Sequence, residues 1–256
     1  MVKGAGKEPS LVDTHCHVDL YPDPYELVRR IEAAQVYTIA VTNAPSVFRQ
    51  TAALVDGKRF VRPAIGLHPE LASQRANELN LMWQYLPKTR YVGEVGLDYT
   101  TTTSHSERAK QRKVFEAIIS RCHEAADKVL TVHSRSAAED VVDAFGESFQ
   151  GVVILHWYSG SRRALSKAIS RGFYFSVNTA MIGSKKWLNM LKLVPREQIL
   201  TESDGPFVRN AGAPARPEDV ASVARALAKR WETTEPESRK LLYQNFARLL
   251  RNKPVS

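Results

Sequence analysis

Cysteine is nearly absent: Cys16 and Cys122 are the only two in 256 residues. So few thiols leave no disulfide framework of the kind that staples small secreted domains. Long apolar runs are missing too. No segment approaches the roughly 18 consecutive apolar residues that read as a bilayer span. The opening MVKGAGKEPS carries no apolar stretch of a secretory signal. These absences predict a cytoplasmic protein with no membrane contact. Acidic residues are in deficit, 27 Asp and Glu against 36 Lys and Arg, for a formal net charge of +9. That balance favours anionic partners such as nucleic acid without selecting one. No glycine-rich G-x-G-x-x-G follows the first candidate strand, which removes the usual reason to expect a doubly wound sheet.

What the chain does have is alternation. Short β-branched runs at 10–15, 36–42, 60–66, 91–95, 129–133, 152–156, 173–177 and 199–203 read as strands. They are nearly continuous in apolar character, as a buried parallel sheet requires. Helical periodicity occupies 24–34, 46–56, 76–86, 106–126, 136–145, 161–171, 184–193, 217–231 and 236–251. Pro24 and Pro217 suit first-turn positions, Ser136 and Ser161 suit N-caps, and Gly172 suits a helix end. Eight strand–helix units in this length predict one (β/α)₈ TIM barrel over 1–256, with 1–9 a flexible tail. The Pro/Gly-rich stretch 205–217 reads as a loop rather than a domain boundary.

His15 and His17 close the first strand, and positions i and i+2 of a strand face the same way. Glu94 ends the fourth strand, His133 the fifth, His156 the sixth and Asp204 the eighth. All six therefore fall on the rim where α/β-barrel active sites form. Imidazoles and carboxylates together suit zinc, manganese, iron or nickel, with magnesium a weaker substitute. The ligand count suggests two divalent ions. One would take His15, His17 and Asp204, and the other His133 and His156. Glu94 would bridge them, since a carboxylate has two oxygens and an imidazole one free lone pair. Asp204 is also the candidate general base. Arg135 can grip a phosphate or pair with Asp98. His68 is placed to meet substrate or act as a general acid. Trp157 and Tyr158 beside His156 are candidates for base stacking. Asp13 and Asp98 are candidates for orienting ligands. Lys185, Lys186, Arg162, Arg163 and Arg209 lie on the mouth side, where they can line a DNA path or form a solvated surface. His105 and His123 read as ordinary histidines.

These residues lie in motifs whose order and spacing are specific: Asp13-Thr14-His15-Cys16-His17, Gly66-Leu67-His68-Pro69, Gly93-Glu94-Val95-Gly96-Leu97-Asp98-Tyr99, His133-Ser134-Arg135, His156-Trp157-Tyr158-Ser159-Gly160 and Glu202-Ser203-Asp204-Gly205-Pro206. Over residues 11–250 the chain resembles the TatD-like metal-dependent deoxyribonucleases, among the amidohydrolase-like barrels. The resemblance implies that the same six residues hold the metals and that His68 contacts substrate phosphate. It implies a DNase, read as an exonuclease on single-stranded or frayed ends. The chain departs from the family in the uncharged run Thr100-Thr101-Thr102-Thr103-Ser104, in Ser203-Asp204-Gly205-Pro206, and in Trp157-Tyr158. These differences bear on substrate preference rather than on ligands. The variant also looks like the TatD-type proteins of bacterial anti-phage (Qat-type) gene cassettes, which would supply protein partners. Two alternatives stay open. One is a hydrolase of a small cyclic amide, lactone or phosphoester; the other is a non-catalytic barrel binding nucleic acid or protein within an assembly.

Overall fold

A computed structural model describes residues 11–102 and 104–251; the tail expected at 1–9 lies outside them. Eight parallel strands run in sequence order around a barrel: β1 (Val12–Cys16), β2 (Tyr37–Ala40), β3 (Val61–Ile65), β4 (Tyr91–Gly96), β5 (Val129–His133), β6 (Val152–Leu155), β7 (Tyr174–Val177) and β8 (Ile199–Thr201). Helices α1 (Pro24–Ala34), α2 (Pro45–Leu54), α3 (Ala72–Arg75), α4 (Leu79–Tyr85), α5 (His105–Ala125), α6 (Ala138–Ala144), α7 (Arg162–Ser170), α8 (Thr179–Ile182), α9 (Lys185–Leu191), α10 (Val220–Trp231) and α11 (Glu235–Arg251) fill the connections and the C-terminus. No helix among the described residues is long and apolar enough to cross a membrane.

Every strand contributes to a single interior cluster: Val12, Ile39, Ala64, Tyr91, Val129, Val152 with Ile154, Tyr174 and Leu200. Phe246 and Leu249 of α11 join it. A larger apolar layer lies between strands and helices, with Val92, Val132, Ile118, Val141 and Leu227 among its members. Cys16 belongs to a third cluster with Leu27, Val28 and Ile31 of α1, so it points away from the face that carries His15 and His17. The seam between the last strand and the first is stitched by Thr14 Oγ1, which donates to Thr201 O at 3.1 Å, and by Thr201 Oγ1 donating to Val12 O. Beyond the strand ends, Asp204 N donates to His15 O and His17 N donates to Gly205 O, each at 2.9 Å.

Several local expectations change. Ser136 is not an N-cap. It sits in a left-handed turn at φ 55°, and α6 begins two residues later behind Ala137. Ser161 does cap, accepting from Ala164 N at 3.1 Å. The stretch 76–86 is no single helix but a chain of short turns around α4. A short α8 precedes α9 where only one helix was expected. The loop 205–217 contains a small antiparallel ribbon of Arg209–Asn210 with Ala213–Pro214. Finally, β6 and β8 stop before His156 and Asp204, which stand on backbone that has already left the sheet.

Candidate metal centre

Glu94 lies at the centre of the rim, and its two oxygens divide the histidines. Oε2 faces His15 Nε2 at 3.5 Å and His17 Nε2 at 3.3 Å. The same imidazole nitrogens lie 3.9 and 3.7 Å from Asp204 Oδ1. Oε1 faces His133 Nδ1 at 2.8 Å, His156 Nε2 at 3.0 Å and His68 Nε2 at 3.5 Å. Two clusters compatible with a metal ion result: His15, His17 and Asp204 on one side, and His68, Glu94 and His133 on the other. A third groups His15, His156 and Glu202.

Hydrogen bonds orient the rings. His15 Nδ1 meets Thr131 Oγ1 at 2.7 Å; with the proton on Nδ1, Nε2 keeps a free lone pair. His133 Nε2 meets Asp98 Oδ2 at 2.7 Å, which aims Nδ1 at Glu94. Such carboxylate–imidazole pairs hold metal ligands in register. His68 differs. Its Nδ1 accepts from Glu70 N at 3.3 Å, so in the neutral ring the proton sits on Nε2, which faces Glu94 as a donor. Asp13 accepts from His15 N at 3.1 Å, Ser203 N at 2.9 Å and Ser203 Oγ at 2.5 Å, locking the first ligand strand to the last.

The protonation balance follows from burial and crowding. Burial, helped by the charge of His156, keeps His15 well below the ordinary imidazole value. Burial also opposes charge on His156 and His133. Glu202 and Glu94 outweigh it at His156, as Asp98 and Glu94 do at His133, and both shift upward. Glu94 is held far down, because His68, His156 and His15 overcome its burial. Asp204 goes up through burial, against the pull of His156. Asp13 is pushed up to about 8 by burial, its Ser203 bonds notwithstanding.

Do these residues fit divalent ions? His15 Nε2 and His156 Nδ1 are buried and hydrogen-bond to nothing, as is His17 Nδ1. An unpaired buried polar atom costs about 1–3 kcal/mol. His156 Nδ1 has Glu202 Oε2 at 3.5 Å, a charge contact rather than a hydrogen bond. His15 Nε2 faces Glu94 Oε2 and Asp204 Oδ1 beyond hydrogen-bond geometry, an arrangement that an ion would satisfy. The imidazole and carboxylate donor set fits.

All six expected ligands converge. His68 also reaches the centre. Arg135 is exposed on the lining of the cleft and meets no carboxylate among the described residues; Asp98 pairs with His133 instead. Trp157 lines the cleft, 38% exposed, its backbone turned to φ 37° with its N–H donated to Glu202 Oε1. Tyr158 does not present a stacking face. It is 1% exposed, packed among core side chains, and its hydroxyl donates to Ser161 O. His123 accepts from Gln150 N, away from the site. Sequence reasoning missed Glu202 and Phe207. Glu202 is fully buried and accepts from Trp157 N, Asn178 Nδ2 and Ser176 Oγ. The signal available for Glu202 was its place directly after the eighth strand, two residues before Asp204. Phe207 lines the cleft edge-on to His17 at 4.9 Å. His17, His68, Glu94, His133, Asp204 and Phe207 are among the residues that line a cleft of about 530 Å³.

Comparison with known proteins finds relatives of this chain. The family described as "TatD related DNase" matches residues 12–251. An uncharacterized metal-dependent hydrolase, YabD of Bacillus subtilis (strain 168), is 29% identical, covering 94% of this chain and 99% of its own. The 3'-5' ssDNA/RNA exonuclease TatD of Salmonella typhimurium is 25% identical over 73% of this chain and 74% of its own. Among solved structures, the TatD homologue YJJV of Escherichia coli K12 superposes with a TM-score of 0.82 at 24% identity, covering 95% of this chain and 98% of its own.

Proposed function

Because the chain belongs to the TatD-related DNase family and is a metal-dependent hydrolase, we propose that it hydrolyses phosphodiester bonds of DNA, as an exonuclease on single-stranded or frayed ends. The observation that carries this reading is the division of four histidines about the two oxygens of Glu94, beneath a cleft edged by Arg135, which meets no carboxylate among the described residues. His15, His17 and Asp204 would hold one ion, His133 and His156 the other, and Glu94 both. Divalent ions there would supply Lewis acidity toward a phosphodiester and acidify water. Asp204 takes a proton from the attacking water. His68, its Nε2–H turned inward by the Glu70 amide, donates to a phosphate oxygen or to the leaving group. Arg135 grips a flanking phosphate. Trp157 offers one exposed ring to a base. A cytoplasmic setting suits two buried, unpaired thiols, and an anti-phage cassette is the biological setting to test by phage plaque counts.

The test is hydrolysis of 5′- and 3′-labelled single- and double-stranded DNA across a divalent-metal panel. Shortening of single strands with Mn²⁺ or Mg²⁺, stopped by EDTA, is expected. Intact DNA alongside turnover of a lactone or dihydroorotate-like compound would overturn the reading.

A further inference from the structure

A second cleft, about 710 Å³, opens beside the metal cleft and shares Ser159 with it. It lies over the start of α7 and against α9, with Ser159, Gly160, Ser161 and Asn189 contributing a polar floor. Gly160 keeps that floor closed: a Cβ there would fall 2.3 Å from Ala138 Cβ and 2.6 Å from Tyr158 Oη. Two cations stand on its walls, Arg162 and Lys186. Both are exposed, and neither meets a carboxylate among the described residues. The acids of the cleft are already engaged. Asp140 accepts from Tyr99 Oη at 2.6 Å and faces Arg112 at 3.4 Å. Glu139 accepts from Ser161 Oγ at 3.0 Å. The other mouth-side cations separate from this pair. Arg209 donates to Gly212 O, and neither Arg163 nor Lys185 lines the cleft.

Unpaired cations thus run from Arg135 in the metal cleft, past Ser159, to Arg162 and Lys186. The geometry points to the second cleft as a subsite for the retained strand, with Arg162 and Lys186 taking phosphates beyond the scissile bond of a single-stranded polynucleotide. This rests on the nuclease reading. A dinucleotide fills the metal cleft alone; a longer strand reaches both clefts, so affinity rises with length through phosphate contacts that are independent of base.

The test compares labelled thymidine di- and octanucleotides with Mn²⁺, at several salt concentrations. The wild-type chain should show KM falling at least tenfold from the dimer to the octamer. Arg162→Ala/Lys186→Ala should lose that gain and flatten the dependence of log KM on log salt by roughly 1.4, at about 0.7 per single-strand phosphate contact. Lys186→Glu should act in the same direction. Lys229→Ala, which removes a charge from α10 outside both clefts, should leave the gain in place. A length gain and salt slope that survive the double substitution overturn the subsite, as does an equal loss on dimer and octamer. If the wild-type chain cleaves neither length, the nuclease reading itself fails and the subsite falls with it.

Discussion

Asp204 occupies a left-handed backbone conformation at φ 48°, a region aspartate tolerates better than most residues and one that recurs at functional sites. Its burial among Glu202 and Glu94 raises its proton affinity, which would suit the proton acceptor proposed above. Asp204→Asn should cut kcat by about 10²–10⁴ with the circular dichroism spectrum unchanged; near-normal turnover would show that another base operates. Glu94→Ala removes both oxygens around which the imidazoles are arranged. It should lose at least one metal equivalent by elemental analysis, and unchanged stoichiometry would sink the bridging role. At this scale the sequence was most legible where the candidate ligands sat at or just past strand ends, because a strand's two-residue period fixes which side chains share a face. It was least legible where neighbours diverge. Trp157 and Tyr158 read as one aromatic pair, yet the turn after β6 sends the first to the cleft and the second into the core. Glu202 escaped notice because a carboxylate followed by Ser203-Asp204 reads as one acidic site, whereas the two acids have separate partners.

The candidate ligands stand on or just past the strand ends, and glycine governs how closely the backbone there approaches. Gly66 follows β3; a Cβ there would stand 2.1 Å from Thr42 O and 2.4 Å from Glu94 N. Backbone cannot yield as a flexible side chain can. Gly66→Ala should therefore move Glu94, costing about 1–3 kcal/mol of stability as overpacking does and lowering kcat at least tenfold. A variant with wild-type kcat would show that the position of Glu94 tolerates this shift. Strand identity was readable because apolar runs in a parallel sheet are nearly continuous and so distinct from the periodic pattern of the helices. Boundaries were not. The expected strands at 152–156 and 199–203 outrun β6 and β8, since residues that serve the site leave the ladder while keeping a strand-like composition. Ser136 looked like a cap for the same kind of reason: its composition suits one, but the turn carrying Arg135 to the mouth takes it first.

Across the whole molecule, proton binding and metal binding would compete for the proposed centre. The upward shifts of His133 and His156 give the metal-free fold a contribution that is present below the unfolded value of 6.5 and lost as pH rises through their folded values. Asp13 and Asp204 act in the same direction, retaining protons in the fold that the unfolded chain has released. The downward shift of Glu94 matters only in acid, below its ordinary value of 4.5. Metal ligation needs these imidazoles neutral and so strengthens as pH rises. The gap in Tm between metal-loaded and EDTA-treated protein should therefore widen from pH 6.5 to pH 8. With metal at 100 times its Kd, about 2.7 kcal/mol is added, or roughly 5–10 °C. A gap that stays constant with pH would show that the site binds metal without displacing protons. The seam of the barrel gives this site a timing. His15 and His17 are made early and Asp204 late, and the bonds that join β8 to β1 also bring these three together. The proposed centre is therefore complete only once β8 has closed on β1.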